Sequence, residues 1–315
     1  MNSGCMKSGA KFNMKFKSVE DVLHQLEQSG YICSKEIATV VFLACATDKP
    51  VLVEGPAGVG KTELAKAVAR NLDRRLIRLQ CYEGLDEAKA LYEWEYAKQL
   101  LYTQIVKEKV HDLITDSSSI ADAVEKIAEQ EDAFFSERFL QTRPLLEAIS
   151  SEKPVVLLID EVDKSDPEFE AFLLELLSDF QVSIPEIGTR KAVHIPVVFL
   201  TSNNYRDMSD ALKRRCIHLY IDFPDRDLEM RIVRMKIPGI DENLLEKMVD
   251  AIRNIRNLDL KKHPCISETI DWAKSLMALN IKELSPEVVA DTLNVVVKYK
   301  TDSELVKNSL DSVTG

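Results

Sequence analysis

The sequence predicts an α/β protein, with a parallel five-stranded sheet sandwiched by helices and a smaller all-helical domain after it. Three observations carry that expectation. Five β-branched or aliphatic runs, at 51–54, 75–80, 155–159, 197–202 and 217–222, are each followed by a helical pattern or a polar loop. Continuous apolar strands of this kind belong to parallel sheets covered on both faces. A glycine-rich loop stands between the first run and a helical pattern at 63–72. Beyond Pro224 the strand signal stops, and 225–308 read as amphipathic helices broken at Pro238-Gly239, His263-Pro264 and Ser285-Pro286.

Taken in order, residues 1–17 are basic and polar but lack the apolar centre of a signal peptide, so they read as a disordered tail and the chain is expected in the cytoplasm. The longest apolar stretch, 37–46, is too short to span a bilayer, and no membrane insertion is expected. Residues 18–224 are expected to form the α/β domain and 225–315 the helical lid domain. The mostly helical segment at about 82–150 is too long for a simple crossover and reads as an insertion. At 167–180, Phe169, Phe172, Leu173, Leu176, Leu177 and Phe180 follow the helical i, i+3, i+4 rhythm, which gives one stripe to pack on the sheet.

Of the 315 residues, 45% are hydrophobic and 30% charged, as in soluble globular proteins. A net charge of −11 argues against a general nucleic-acid binder, because neutralising phosphates needs a concentrated basic face. The six cysteines include no C-x-x-C pair and have no histidine at metal-ligand spacing, so they read as reduced thiols.

The loop Gly55, Pro56, Ala57, Gly58, Val59, Gly60, Lys61 and Thr62, with Glu63 behind it, is the expected ATP-binding segment. Its glycines reach backbone angles closed to other residues, so successive N–H groups can turn around a phosphate at a helix N-terminus. Lys61 then reaches the outer phosphates, and the Thr62 hydroxyl ligates Mg2+. The strand 155–159 ends in two acids: Asp160 is expected to hold the hydrated Mg2+ opposite Thr62, and Glu161 to act as the base for an attacking water. Asn203 and Asn204 end the next run, where a side-chain amide can hold the water or the γ-phosphate. Arg214 and Arg215 precede the last run, and on the residues alone they read equally as surface charges. Tyr92-Glu93-Trp94-Glu95-Tyr96 alternates aromatic and acid, which suits either a client-gripping loop or a packed core. Residues 181–195 read as a β-hairpin with its turn near Glu186 to Thr189.

The order GPAGVGKT, VVLLIDEVDKSD, FLTSNN, ALKRRC, then a helical lid, resembles an AAA+ ATPase of the MoxR family over roughly 30–300. Within it, LQCYEGLDEAKALYEWEY, EFEAFLLELLSDFQVSIPEIGT and ISETIDWAKSL are similar to the CoxD-type branch associated with maturation of carbon monoxide dehydrogenase. The resemblance implies a P-loop NTPase fold, a Walker A loop at Gly55 to Thr62 and a Walker B pair at Asp160 and Glu161. It also implies Asn203 as sensor 1, with Asn204 as the fallback. Arg215 matches the arginine finger entering the neighbouring subunit's ATP site, with Arg214 as the alternative. ATP and Mg2+ are the implied cofactors; the implied partners are further copies in a hexameric ring, a von Willebrand A domain protein and a client metalloenzyme such as a molybdenum hydroxylase. The hairpin is implied to face the ring's pore. In one respect the chain departs from the family: Ser267-Glu268-Thr269 stands where a Ser-Pro-Arg sensor 2 is usual. The leading expectation is therefore an ATP-driven remodelling ATPase. A slow-turnover assembly switch and, against the acidic charge, a nucleic-acid remodeller are the competing ones.

Overall fold

The structure, a computed structural model, describes residues 16–98, 100–101, 139–184 and 188–314. Most of the expected tail, the middle of the expected insertion and the expected turn residue Glu186 lie outside the described residues. In chain order the elements begin with α1 (Val19–Gln28), α2 (Lys35–Thr47), β1 (Val51–Glu54), α3 (Lys61–Leu72), β2 (Arg75–Gln80), α4 (Glu87–Leu91) and β3 (Tyr92–Trp94). They continue with β4 (Leu140–Thr142), α5 (Pro144–Ile149), β5 (Val155–Asp160), α6 (Pro167–Asp179), β6 (Gln181–Ile184), β7 (Gly188–Lys191) and β8 (Val197–Ser202). The last are α7 (Asp210–Arg215), β9 (Ile217–Tyr220), α8 (Arg226–Lys236), α9 (Glu242–Arg256), α10 (Ile266–Ala278), α11 (Pro286–Val296), α12 (Lys300–Lys307) and α13 (Leu310–Thr314).

The parallel five-stranded sheet has the order β2-β5-β8-β1-β9. The chain divides into two compact units: Met1–Asp73, Thr201–Tyr205 and Cys216–Gly315 form the first, and Arg74–Leu200 with Arg206–Arg215 the second. The expected boundary at 224 therefore falls inside the first unit.

In the first unit β1 pairs with β9 from Val51↔Ile217 to Glu54↔Tyr220, and all four β1 residues are buried. Helix starts are capped by side chains: Ser18 Oγ accepts from the Asp21 N–H and Ser34 Oγ from the Ile37 N–H, which satisfies donors the helix itself leaves open. Phe16, just before α1, is buried. Every element after Pro224 is helical, and their core closes on Trp272, Leu245, Met248, Ile252 and Leu293. The Trp272 indole N–H donates to Thr292 Oγ1 at 2.8 Å, so the largest buried ring leaves no polar atom unpaired.

One buried ion pair ties these helices together. Arg256 of α9 grips Glu229 of α8 through both guanidinium ends, at 2.6 and 2.7 Å, and Glu229 is 0% exposed. Thr269 of α10 donates to the same carboxylate at 2.8 Å, and the Arg256 guanidinium lies 4.9 Å from the Phe223 ring centre.

In the second unit β2 and β5 run in register from Arg75↔Val155 to Gln80↔Asp160, and β5 continues to β8 through Ile159↔Leu200. All six β5 residues are buried, as a central parallel strand requires. In α6, Phe169, Leu173, Leu176 and Leu177 are buried, following the predicted stripe. The β6–β7 hairpin is antiparallel, with Gly188 and Thr189 already inside β7. The described ends of the expected insertion carry the antiparallel pair β3–β4 as well as helices.

Replacing Arg256 with Met should leave Glu229 buried without its counter-charge and cost about 3–5 kcal/mol. Chemical denaturation of the variant is the check; a loss below about 1 kcal/mol would show that the pair is not what joins α8 to α9.

Candidate nucleotide-binding site

The phosphate loop belongs wholly to the first unit. β1 delivers the chain to Gly55 at φ 143°, Gly58 follows at φ 76°, and Gly60 at φ 98° feeds directly into α3. At two of these positions the constraint is space as well as backbone angle. A Cβ on Gly55 would stand 2.0 Å from the Ile221 carbonyl oxygen, and one on Gly58 would stand 2.0 Å from Cys265 Sγ. The loop is thus held between the end of β9 and the start of α10. Lys61 is buried, and its ammonium donates to the carbonyls of Gly55 at 2.7 Å and Pro56 at 2.6 Å. The cation therefore sits inside the curve of the loop, where a phosphate oxygen can take it over. Thr62 follows in the first turn of α3, half-buried, and Glu63 pairs with Arg70 at 2.8 Å.

Beside the loop lies a cavity of about 280 Å³, flanked by Tyr31, Ile32, Val59, Ile232, Met235 and Ile266. Its apolar walls, continuous with the glycines, suit a flat base at one end and phosphates at the other. Burial raises the Tyr31 phenol well above its ordinary range, so it stays neutral against the loop. Ser267 lines the same cavity, whereas Thr269, two residues on, is fully buried on Glu229. The segment Ser267-Glu268-Thr269 thus offers this cavity a hydroxyl at Ser267, and Thr269 faces the helical core. Glu268 instead caps α10, accepting from the Cys265 N–H at 3.0 Å and from its thiol. Burial, then the Glu268 contact, raises the Cys265 thiol, which remains protonated.

The two acids belong to the second unit and stand in different surroundings. Asp160 ends β5 at 2% exposure, and Arg78 of β2 donates to its Oδ2 through Nε at 3.0 Å and Nη2 at 2.5 Å. Glu161 is half-buried on left-handed backbone at φ 56° and accepts from Gln80 at 2.9 Å and Lys164 at 2.7 Å. Arg78 also donates to Gln80, so a chain of polar contacts runs Asp160–Arg78–Gln80–Glu161–Lys164. Neither Arg78 nor Gln80 stands out in the sequence; their one signal is that positions 78 and 80 are two apart and so share one face of β2.

Asn203 follows β8 and is half-buried, while Asn204 is exposed at φ 60° with its N–H on Ser202 Oγ at 3.1 Å. That left-handed turn occupies Asn204 and leaves Asn203 at the strand end. Arg214 and Arg215 close α7, both exposed; Arg215 Nε donates to Ser178 Oγ at 2.5 Å and Nη1 to the Ala211 carbonyl at 3.1 Å. The start of α7 is anchored by Glu170, 3% exposed, which accepts from Arg206 at 2.8 Å and from the Ser209 N–H at 2.7 Å. Burial pushes the Glu170 carboxyl up, but the Ser209 and Arg206 contacts outweigh it and hold it below its ordinary value. Arg206 Nε reaches the Ser165 carbonyl at 3.2 Å, so the turn after Glu161 and the start of α7 share one buried junction.

The aromatic run divides its tasks. Trp94 is 8% exposed and packs edge-on against Tyr92 at 6.0 Å, whereas Tyr96 is 70% exposed. Of the two expected readings, the packed one holds for Trp94, which the pairing of β3 with β4 places in the core, while Tyr92 is half-buried.

A family model described as "ATPase family associated with various cellular activities (AAA)" matches residues 51–224. The chain belongs to this AAA family. Its relatives include the gas vesicle ATPase GvpN of Haloferax mediterranei, 27% identical over 66% of this chain and 56% of that protein. GvpN2 of Halobacterium salinarum is 26% identical over 84% of this chain and 74% of that protein. Against the first of these, the chain spans little more than half the relative's length. Among solved structures, the Holliday junction branch migration motor RuvB of Thermotoga maritima aligns with 89% of this chain and 72% of that one, at 18% identity and a TM-score of 0.46. The AAA+ fold of sheet and helices stands as expected, and the family is one of nucleotide-binding ATPases.

For this AAA chain the Gly58 contact gives a sharp prediction. Gly58→Ala should lower nucleotide affinity at least about tenfold, since the new methyl meets Cys265 and the backbone angle disfavours a side chain. Titration with a fluorescent nucleotide measures it, and near-wild-type affinity would mean that the loop is not held as described.

Proposed function

We propose that this AAA protein is an ATP-hydrolysing remodelling ATPase of MoxR type, working in the cytoplasm as a homomeric ring, hexameric on the sequence resemblance. The observation that carries the reading is the contrast between the two acids: a buried, arginine-paired Asp160 and a half-buried Glu161 with movable lysine and glutamine partners. Those surroundings support separate roles, a fixed carboxylate for the metal and an adjustable one for proton transfer.

In this reading Gly55, Pro56, Ala57, Gly58, Val59, Gly60 and Lys61 cradle the phosphates, and the cavity by Tyr31 and Ile232 takes the base. The residues fit the implied groups: the glycine cradle is one that a Cβ would fill, and Thr62 and Asp160 offer the oxygen donors a hard cation takes. Bound Mg2+ would supply charge neutralisation on the phosphates. Glu161 orients and deprotonates the water, Asn203 holds it, and Arg215 reaches a neighbouring copy's nucleotide, with Arg214 the alternative. The Arg206–Glu170–Ser209 junction supports coupling between the turn after Glu161 and the finger helix.

For the client we propose a metalloenzyme of the molybdenum hydroxylase class, such as carbon monoxide dehydrogenase, with a von Willebrand A domain partner. The support is the CoxD-type wording of residues 79–96, 168–189 and 266–276. The relatives named as gas vesicle ATPases support the broader role of assisting assembly. A second reading, an ATP-gated switch of slow turnover, is favoured by one observation: Thr269 is turned into the lid core where the wider family presents an arginine.

Steady-state hydrolysis separates the two. The remodelling ATPase predicts measurable turnover that Glu161→Gln lowers about 10²- to 10⁴-fold while nucleotide binding persists. Wild-type turnover no faster than the variant's would favour the switch.

A further inference from the structure

Arg78 does something no motif assigns to it. It stands in mid-strand on β2, and its guanidinium donates through two nitrogens to the Oδ2 of Asp160, the carboxylate at the end of β5. The arginine side chain is 46% exposed and the aspartate 3%. A long, partly solvated cation thus closes over a buried anion. The same Nη2 donates to Gln80, whose amide donates to Glu161.

The geometry points to Arg78 as a counter-ion for Asp160 that competes with Mg2+: it neutralises the metal-binding carboxylate when no metal is bound and is displaced as Mg2+ arrives with the nucleotide. The inference rests on the nucleotide-binding reading of Asp160. Its physical basis is that a buried carboxylate needs a compensating charge at all times, while a guanidinium and a divalent cation drawn to the same carboxylate repel each other. Because the side chain is flexible and half in water, it can swing out at small cost, which a fully buried arginine could not. Displacement also frees the Gln80 carbonyl that Arg78 engages, and through it loosens the hold on Glu161, so the base is released only in the metal-loaded site. Arg78 is in this sense a positioning residue, acting through Asp160 and Gln80.

The test compares the affinity of a slowly hydrolysed fluorescent ATP analogue in Mg2+ and in EDTA, for the full chain and for Arg78→Met. The ratio of the two dissociation constants reports the benefit of the metal. Removing the competing cation should raise that benefit about tenfold, within the usual range of coupling between sites. An unchanged or smaller benefit overturns the inference, as it would mean that Arg78 merely props up Asp160. Arg78→Lys, which keeps a cation but loses the two-nitrogen grip, serves if the methionine variant does not fold. It should show a smaller gain in the same direction, and no gain overturns the inference equally. Failure of the wild-type chain to bind the analogue in either condition overturns the nucleotide reading itself, and this inference with it.

Discussion

The backbone of one short loop constrains everything around it. Gly55 and Gly58 hold angles that side chains disfavour, and each lacks room for a Cβ because another element presses against it, the Ile221 carbonyl in one case and Cys265 Sγ in the other. Those two contacts join the end of a sheet strand, the phosphate loop and the first residue before α10. The helical elements after Pro224 thereby share the cavity beside the loop, contributing Ile232, Met235, Ile266 and Ser267 to its wall. The start of α10 is thus packed directly on the loop. Thr269 on that helix shares Glu229 with Arg256, which links α10 to α8 and α9.

Electrostatics sets the second constraint. Three buried acids are each held by donors: Asp160 by Arg78, Glu170 by Arg206 and Ser209, and Glu229 by Arg256 and Thr269. Two of these clusters lie next to proposed catalytic groups. Asp160 leads by way of Arg78 and Gln80 to Glu161, and Glu170 anchors the helix that ends in Arg215. Such networks have discrete arrangements, which is what a nucleotide-driven machine needs to convert local charge changes into movement of helices.

Much of this could be read from the sequence because the relevant signals are local. β1, β2 and β8 begin and end where their apolar runs do, and the apolar stripe of α6 is that of its helical period. The phosphate loop declares itself because glycine spacing is itself the mechanism. What stayed hidden depends on contacts between distant residues. Cys265 against Gly58 has no sequence signature, and neither does Arg78 against Asp160. The alternation at 92–96 puts three aromatics on one side but does not say which of them the distant strand β4 covers, so Trp94 looked as available as Tyr96. Phe16 lay in a basic stretch whose composition masked one buried ring.

In the proposed ring, Arg215 of one subunit finishes the hydrolytic site of the next. Mixing two inactive variants, Glu161→Gln and Arg215→Ala, tests it most directly. Neighbours in a mixed ring can pair an intact Glu161 with an intact Arg215, so hydrolysis should rise well above that of either variant alone, given the rate a finger supplies. Mixed activity no greater than the average of the two separate variants would mean that Arg215 does not act on a neighbouring subunit's site.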